Sequence, residues 1–419
     1  MVTPMPAATG QSGGIRARAA WSLADQGVSS IGNFLLIILV ARRATTSELG
    51  TFGLAFTTWA LAMGASRSLA TEPLIVRFTG HSHTAAHSAS RSAMGASLVL
   101  AGLGSLVLLA ATPFLASGAR SIFLVLGLTL PFLLLQDAAR YAAVVQSKTW
   151  IAFLNDSLWS VLAIGGLIAL TITDTGSVTV MFGVWAVTSL AGAALSCSLL
   201  KNVPDLGRSV KWIVTNWNLG RPFLLQFLVE TGALSIVMFV IAGVAGLAAV
   251  AALRVASTIF GPVTSLFRGV QLFLVPEMAR LAHHGATRRF VRMVFLGAAV
   301  LSSITLSWLA VSLWLPYRFG VLLFGESWQA GRDILIPFGI YMLASALIVA
   351  PYSALRALGL ASAGLRVALV QLPVFILGPL IGAYYDGARG AAIGLAIAGT
   401  TSAILWWWRF QSRGKLGTR

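Results

Sequence analysis

The sequence predicts an all-α integral membrane protein with about twelve spanning helices. Apolar residues make up 57% of the 419 positions, whereas charged residues make up only 10%. A soluble domain carries about 25% charged residues, so this chain cannot cover a water-facing surface of ordinary polarity. The mean hydropathy of +0.86 agrees with that imbalance. We therefore expect lipid to be the main solvent of the fold.

Twelve apolar runs are long enough to be spans, because a membrane-crossing helix needs about 20 mainly apolar residues. The connections between the runs are short, and none is long enough to fold by itself. The predicted spans are 19–41, 51–70, 93–117, 121–146, 150–173, 178–200, 222–245, 248–275, 292–316, 330–355, 359–384 and 389–410.

Basic residues predict the orientation, because lysine and arginine concentrate in cytoplasmic loops. With the N-terminus inside, most basic residues lie on the cytoplasmic side, and Arg254 is left deep within a span. This distribution predicts cytoplasmic termini and an even number of spans. The basic residues on the outside are Arg42, Arg43, Arg120, Arg318, Arg332 and Arg389.

The longest central break between spans divides the chain into two predicted lobes. Residues 19–203 form the N-terminal six-helix lobe, 204–221 the linker and 222–410 the C-terminal six-helix lobe, between cytoplasmic tails at 1–18 and 411–419. Apolar residues recur at helical spacing in the linker, which indicates an amphipathic helix on the inner leaflet, with a plain loop as the alternative. These residues are Leu206, Val210, Ile213, Val214 and Trp217.

The two halves carry charged residues at matching places, which indicates a weak internal repeat. Asp25 in span 1 corresponds to Glu230 in span 7, and Arg67 in span 2 corresponds to Arg268 in span 8. Both halves start on the inside, so the axis that relates them would stand along the membrane normal, as in transporters with parallel repeats.

Charged side chains inside spans are candidate functional residues, because each costs about 2.5–3.5 kcal/mol on insertion scales and usually faces a cavity or a partner. All except Arg254 fall in the cytoplasmic third of their helices, which predicts a wet vestibule open to the cytoplasm. The candidates are Asp25, Arg67, Asp137, Arg140, Asp156, Glu230, Arg254 and Arg268.

Arg254 and Arg268 are separated by fourteen residues, close to four turns of a straight helix, so they would share one face about 21 Å apart. Two such arginines could pass an anionic group across the bilayer, and the planar guanidinium suits phosphate oxygens. In the alternative interpretation, Asp25–Arg67 and Glu230–Arg268 are structural ion pairs and Arg254 reaches towards the membrane surface.

Several function classes are excluded or disfavoured. The net charge of +17 is spread singly between apolar runs, so it does not indicate a nucleic-acid partner. No nucleotide-binding loop is present, and the histidines lack partners at ligand spacing, so we expect neither a metal nor a cofactor. A membrane-embedded glycan polymerase or ligase is a further alternative, but the external loops are short for such an enzyme.

Four short segments form a recognisable set of motifs. They are 24–34 (ADQGVSSIGNF), 48–53 (ELGTFG), 68–74 (SLATEPL) and 323–331 (LFGESWQAG). These segments resemble those of bacterial polysaccharide flippases of the O-antigen and teichoic-acid type, which belong to the multidrug/oligosaccharidyl-lipid/polysaccharide exporter superfamily.

The resemblance implies two pseudo-symmetric six-helix lobes around a central cavity that opens alternately to each side. The implied substrate is a polyprenyl-pyrophosphate-linked oligosaccharide, moved from the inner to the outer leaflet of the bacterial cytoplasmic membrane for cell-surface polysaccharide assembly. Its implied partners are membrane lipids, glycosyltransferases and a polysaccharide polymerase, and the protein itself would be a monomer. A drug/cation antiporter of the same superfamily is the alternative.

The same resemblance implies roles for the charged residues. Arg67, Arg254 and Arg268 would bind the substrate through its phosphates. Asp25, Asp156 and Glu230 would couple transport to an ion gradient or act as a gate.

Overall fold

The computed structural model describes residues 12–79, 81–358 and 360–414, and within these ranges it contains helices and no strand. The all-helical fold predicted from the sequence is confirmed. The parts of the predicted tails at 1–11 and 415–419 lie outside the described residues. The helices of the first half are α1 Ser12–Ala41, α2 Thr46–Ser66, α3 Glu72–Phe78, α4 His83–Ala111, α5 Ser117–Val145, α6 Thr149–Ile172 and α7 Val178–Leu200.

The helices of the second half are α8 Ser209–Phe227, α9 Ala233–Ile259, α10 Gly261–His283, α11 Thr287–Trp314, α12 Tyr317–Phe324, α13 Ser327–Asp333, α14 Leu335–Ala357 and α15 Ala361–Gly414. Two of them, α9 and α15, contain a non-helical break. Two π-helical turns join helices end to end. Arg67–Thr71 connects α2 to α3, and Leu228–Gly232 connects α8 to α9.

Nine helices of the described chain are long and apolar enough to cross a membrane. The non-helical breaks raise the number of crossings, because each break divides one long helix into two arms. Residues 209–245 form one helical run about 55 Å long, and beyond Gly246 the chain continues to Ile259 and then into α10, so it must turn back at Gly246 to stay within a bilayer. The 54 residues of α15 likewise break at Asp386 and Gly387. With α2 as a further span, the described residues provide the twelve crossings that the sequence predicts.

Glycines allow the two arms of α15 to pack closely as an antiparallel hairpin. Gly382 lies opposite Gly390, and Gly378 lies opposite Gly394, so the contacts are symmetric about the turn. A Cβ atom at Gly390 would lie 1.9 Å from the carbonyl oxygen of Gly382. Small residues four apart let transmembrane helices approach until their backbones touch. The close packing of the hairpin therefore requires glycine, which has no side chain, at these positions.

The packing divides the described chain into two compact units whose boundaries differ from the predicted lobes. Unit 1 contains the described residues of 1–36 and 62–224, and unit 2 contains those of 37–61 and 225–419. The segment 37–61 belongs to unit 2 because α2 begins against the second arm of α9. A Cβ atom at Gly50 would lie 2.1 Å from the carbonyl oxygen of Leu247. The order of spans along the chain cannot reveal such a contact.

The linker predicted at 204–221 contains the first part of α8, which belongs to unit 1, and the helix continues from there into the next span. On one side of α8, the indole Nε1 of Trp212 donates to the carbonyl oxygen of Ala70 at 3.2 Å. Asn216 accepts from Arg77 at 2.8 Å on the same side. The opposite side presents Leu206, Val210, Val214 and Trp217 as exposed apolar residues. That arrangement suits a helix that rests on lipid.

The segment 323–331 folds into a tight connection around Trp328, which is fully buried. Gly325 adopts a φ of +57°, a left-handed conformation that favours glycine. The Trp328 ring fills the space beside Gly320, where a Cβ atom would lie 1.9 Å from it. The glycines and the tryptophan of this motif therefore have a structural explanation.

Substituting Gly390→Ala is expected to destabilise the α15 hairpin by about 1–3 kcal/mol, because the added methyl group meets backbone rather than a flexible side chain. The measurement is the melting temperature of the purified protein in detergent. Gly102→Ala in α4 is the matched control, because nothing lies within 4 Å of its Cβ position. A Gly390→Ala protein that melts together with the Gly102→Ala protein would contradict this account of the hairpin.

Candidate functional site

Five charged side chains from four segments of unit 1 meet in one charge cluster. Its members come from α1, from the π-helical turn that follows α2, from α5 and from α6. They are Asp25, Arg67, Asp137, Arg140 and Asp156. The structure therefore brings together three of the predicted site residues and adds two that had no assigned role.

The strongest pair of the cluster joins Arg67 to Asp137. The Nε of Arg67 donates to Oδ2 at 2.8 Å and its Nη2 to Oδ1 at 2.7 Å, which is the two-bond geometry of a well-formed guanidinium–carboxylate pair. The Asp137 side chain is only 8% exposed and that of Arg67 27%. The alternative of an Asp25–Arg67 pair is wrong, because α5 rather than α1 supplies the carboxylate.

Arg140 holds the three carboxylates together. Its Nη1 lies 3.3 Å from Asp25 and 3.2 Å from Asp156, and its Nη2 lies 3.5 Å from Asp137. The guanidinium groups of Arg67 and Arg140 also both lie over the ring of Tyr141, within 6 Å of its centroid. One arginine thus links α1, α5 and α6 through charge.

Asp156 and Asp25 differ in how many hydrogen bonds their carboxylate oxygens accept. Gln136 donates to Oδ1 of Asp156 at 2.7 Å, and Ser29 donates to its Oδ2. Oδ1 of Asp25, in contrast, is buried without a hydrogen-bond partner. Because the cluster has three carboxylates and two guanidinium groups, uptake of one cation would make it neutral. Asp25 is the carboxylate with a free oxygen to receive it.

Arg254 lies in unit 2, on the second arm of α9. Its guanidinium carbon is 4.1 Å from the centroid of the Phe56 ring, and its stem lies beside Gly53 of α2. Its Nε is buried and has no hydrogen-bond partner. Among the described residues, no carboxylate pairs with Arg254. It is a buried cation held against an aromatic ring.

Arg268 has a different environment from Arg254. Its side chain is exposed on α10. The premise of an unbroken helix between the two arginines is wrong, because α9 ends at Ile259 and α10 begins after Phe260. The Glu230 side chain lies outside the described residues, although its backbone forms part of a π-helical turn. The predicted Glu230–Arg268 pair therefore stays a prediction.

A cavity of about 390 Å³ opens within unit 2, and the sequence analysis did not anticipate it. The described residues around it combine aromatic rings with amide and hydroxyl groups, and none of them is charged. The polar and aromatic members are Phe267, Gln271, Tyr341, Ser345, Tyr352, Gln371, Phe375, Ser402 and Trp406. The two glutamines inside apolar helices were the sequence signal that could have indicated this cavity.

Asp137 and Arg140 could also have been assigned a role from the sequence. They are three residues apart on α5, so their side chains lie on one face of the helix. Two opposite charges on one face of a span indicate a partnered group rather than a lipid-facing one. Ser29 and Gln136 gave no comparable signal, because isolated polar residues are common in spans.

No protein-family model matches this sequence, and no curated protein matches it significantly. Solved structures do match. One is described as the inward-facing conformation of a multidrug resistance MATE family transporter of the MOP superfamily. Its TM-score is 0.74 at 15% identity, over 92% of this chain and 94% of that one. The outward-facing conformation of such a transporter gives a TM-score of 0.61 at 15% identity, over 97% and 96%.

A third structure is a MOP superfamily transporter from Pyrococcus furiosus, described as having a binding pocket of reversed polarity that suggests a different function. It matches with a TM-score of 0.62 at 14% identity, over 96% of this chain and 95% of that one. The chain therefore has the fold of the MATE transporters. The identities are too low to carry the substrate across.

Asp137→Asn is expected to destabilise the protein by about 3–5 kcal/mol, because it leaves Arg67 buried without its carboxylate. Asp205→Asn is the matched control, since Asp205 pairs with a largely exposed Arg208 and such surface pairs contribute about 0–1 kcal/mol. The readout is the melting temperature in detergent. Equal melting of the two variants would mean that the Arg67–Asp137 pair contributes no more than a surface pair.

Proposed function

We propose that this protein is an alternating-access transporter that moves a polyprenyl-pyrophosphate-linked oligosaccharide from the inner to the outer leaflet of the bacterial cytoplasmic membrane. Both termini would lie in the cytoplasm, and the protein would work as a monomer. Glycosyltransferases would supply the substrate, and a polysaccharide polymerase would use it. The fold supports transport, because both inward-facing and outward-facing conformations are known for structures that resemble this chain.

The observation that carries the choice of substrate is the environment of Arg254. A cation–π contact contributes up to about 2 kcal/mol when desolvated. Placing an arginine at the centre of a span costs about 2.5–3.5 kcal/mol on insertion scales. Arg254 lies about 12 Å along the helix from the turn at Gly246, which is well within the hydrocarbon. The contact with Phe56 therefore does not offset the whole cost of burial.

A diphosphate would supply the missing partner for Arg254. The guanidinium group binds phosphate oxygens through a planar fork and stays charged at any depth. Arg67 is already paired with Asp137, so it would contribute positive charge near the substrate but not a guanidinium group free to bind two phosphate oxygens. Arg268, which is exposed, would act at another stage of the passage. In this division the glycan stays in an aqueous cavity and the polyprenyl tail stays in the bilayer.

The charge cluster of unit 1 is the proposed coupling site. A proton or a metal cation that binds Asp25 would remove the excess negative charge around Arg140 and so change how tightly α1 is held. Asp156 would act through Arg140 rather than by receiving the ion, because both of its oxygens already accept hydrogen bonds. The role assigned to Glu230 has no support from described side chains.

Drug/cation antiport is the second candidate, and the comparisons favour it over glycan export. The similar structures include multidrug resistance transporters, and the carboxylates of unit 1 could in principle hold a cation. The amide and hydroxyl groups in the uncharged lining of the unit 2 cavity favour the glycan, since a cationic drug bound there would be held by aromatic rings alone, without a carboxylate. The same structures are transporters, which argues against a membrane-embedded polymerase or ligase.

Arg254→Ala is expected to lower translocation of a fluorescent polyprenyl-pyrophosphate oligosaccharide in proteoliposomes by at least about tenfold, which corresponds to a loss of about 1.4 kcal/mol. Arg280→Ala, on the exposed surface of α10, is the matched control. Ethidium efflux driven by a proton or sodium gradient is measured in parallel. Unchanged glycan translocation in the Arg254→Ala protein, or ethidium efflux without glycan translocation in the wild type, would overturn the proposal.

Asp25→Asn is expected to abolish the dependence of transport on an ion gradient while leaving passive exchange intact, because the amide cannot be protonated and has no negative charge for a cation to balance. Substrate exchange without a gradient is compared with accumulation against one, with protons and sodium tested separately. Asp205→Asn serves again as the control, since this carboxylate lies outside the charge cluster and pairs with a largely exposed arginine. Gradient-driven accumulation that survives the Asp25→Asn change would show that coupling does not pass through this residue.

A further inference from the structure

We propose that the cavity of unit 2 is a binding site for a pyranose ring, and so for the sugar part of the transported substrate. The inference rests on the proposed function and deepens it. The cavity lies between five helical segments. These are the first arm of α9, α10, α14 and the two arms of α15. Its volume of about 390 Å³ is near the lower end of the range of about 300–1,000 Å³ for small-molecule sites. It suits a sugar unit rather than a long oligosaccharide.

The walls of the cavity are aromatic. Tyr341 and Phe375 meet edge to face with ring centroids 6.4 Å apart, and Tyr352 and Trp406 meet in the same way at 5.2 Å. Aromatic faces carry negative charge density and attract weakly positive groups. The C–H face of a pyranose is apolar and weakly positive, so it fits against such a ring. Because edge-to-face packing limits the movement of the rings, the walls are preorganised.

Neutral polar groups complete the lining. The hydroxyl of Ser402 donates to Oε1 of Gln371, which orients the amide and leaves its NH₂ group as a donor. Gln271 also lines the cavity and makes no hydrogen bond within the described part of the chain, so its amide is available to a ligand. Sugar hydroxyls donate and accept together, which is the pattern that two amides can match.

The same lining disfavours other ligands. A phosphate needs arginine, lysine or a set of backbone N–H groups, and the described lining contains no cationic side chain. A lipophilic cation would meet no carboxylate in the described lining, so only cation–π contacts would balance its charge and the amides would be left unused. A polyprenyl tail would leave both glutamine amides buried without partners. In the orientation predicted from the basic residues, the cavity lies in the cytoplasmic half of the helices, where the glycan would be loaded.

The test measures the melting temperature of the purified, full-length protein with methyl pyranosides of several common hexoses. Sorbitol at the same molar concentration is the control for osmolyte effects, since it has the hydroxyls but no ring. At least one pyranoside is expected to raise the melting temperature by about 2 °C more than sorbitol does. Tetraphenylphosphonium and inorganic pyrophosphate are tested as a cation and an anion.

Gln371→Leu is expected to remove the response to the pyranoside. Gln371→Glu, which keeps the shape and the acceptor for Ser402, is expected to reduce that response even if the leucine variant folds poorly. Gln329→Leu on the external helix α13 is the matched control. No pyranoside response in the wild type would overturn the inference, as would a response that survives both Gln371 substitutions or a larger shift with either ion.

Failure of this inference and failure of the proposed function give different results. A wild-type protein that translocates the lipid-linked glycan without any pyranoside response contradicts the sugar site alone. A protein that responds to pyranosides through Gln371 but translocates no lipid-linked glycan contradicts the proposed function and keeps the site. Arg254→Ala is expected to keep the pyranoside response and lose translocation, because it lies outside the cavity lining.

Discussion

The cost of placing charge in lipid governs how unit 1 is held together. Five ionisable side chains within helices each oppose insertion, and they are tolerated because they meet. Arg140 reaches three carboxylates on three helices, so α1, α5 and α6 cannot separate without exposing charges to hydrocarbon. In a bilayer no hydrophobic force drives helices together, so such polar contacts and close packing supply the specificity.

Close packing of helix backbones also determines which helices become neighbours, and glycine makes this packing possible. The arms of α15 touch at Gly382 and Gly390, and α2 begins against the second arm of α9 at Gly50. Both contacts bring backbones to distances that any side chain would prevent. The charge cluster lies in unit 1 and the uncharged aromatic cavity in unit 2, so the two units offer different chemistry to a substrate.

This difference gives the proposed transport cycle its division of labour. A cluster with an excess carboxylate suits an ion, a buried arginine without a carboxylate suits a phosphate, and an uncharged aromatic cavity suits a sugar. The π-helical turn at Arg67–Thr71 adds a further feature, because π turns inside helices often occur at functional positions and can shift register. Movement of that turn would change the geometry of the Arg67–Asp137 pair directly.

Composition and the lengths of apolar runs determined the membrane fold and its twelve crossings, because the thickness of a bilayer fixes how long a span must be. The same runs located the buried charges, since a charged residue in an apolar segment is conspicuous. Only the tertiary structure decided that Arg67 pairs with Asp137 rather than with Asp25, and that 37–61 belongs to the second unit. Helix order along the chain does not specify which helices become neighbours, because packing partners are selected by shape and charge complementarity between faces. The cavity with Gln371 and Trp406 emerged for the same reason: its lining comes from segments distant in the sequence, each of which alone is an ordinary apolar helix.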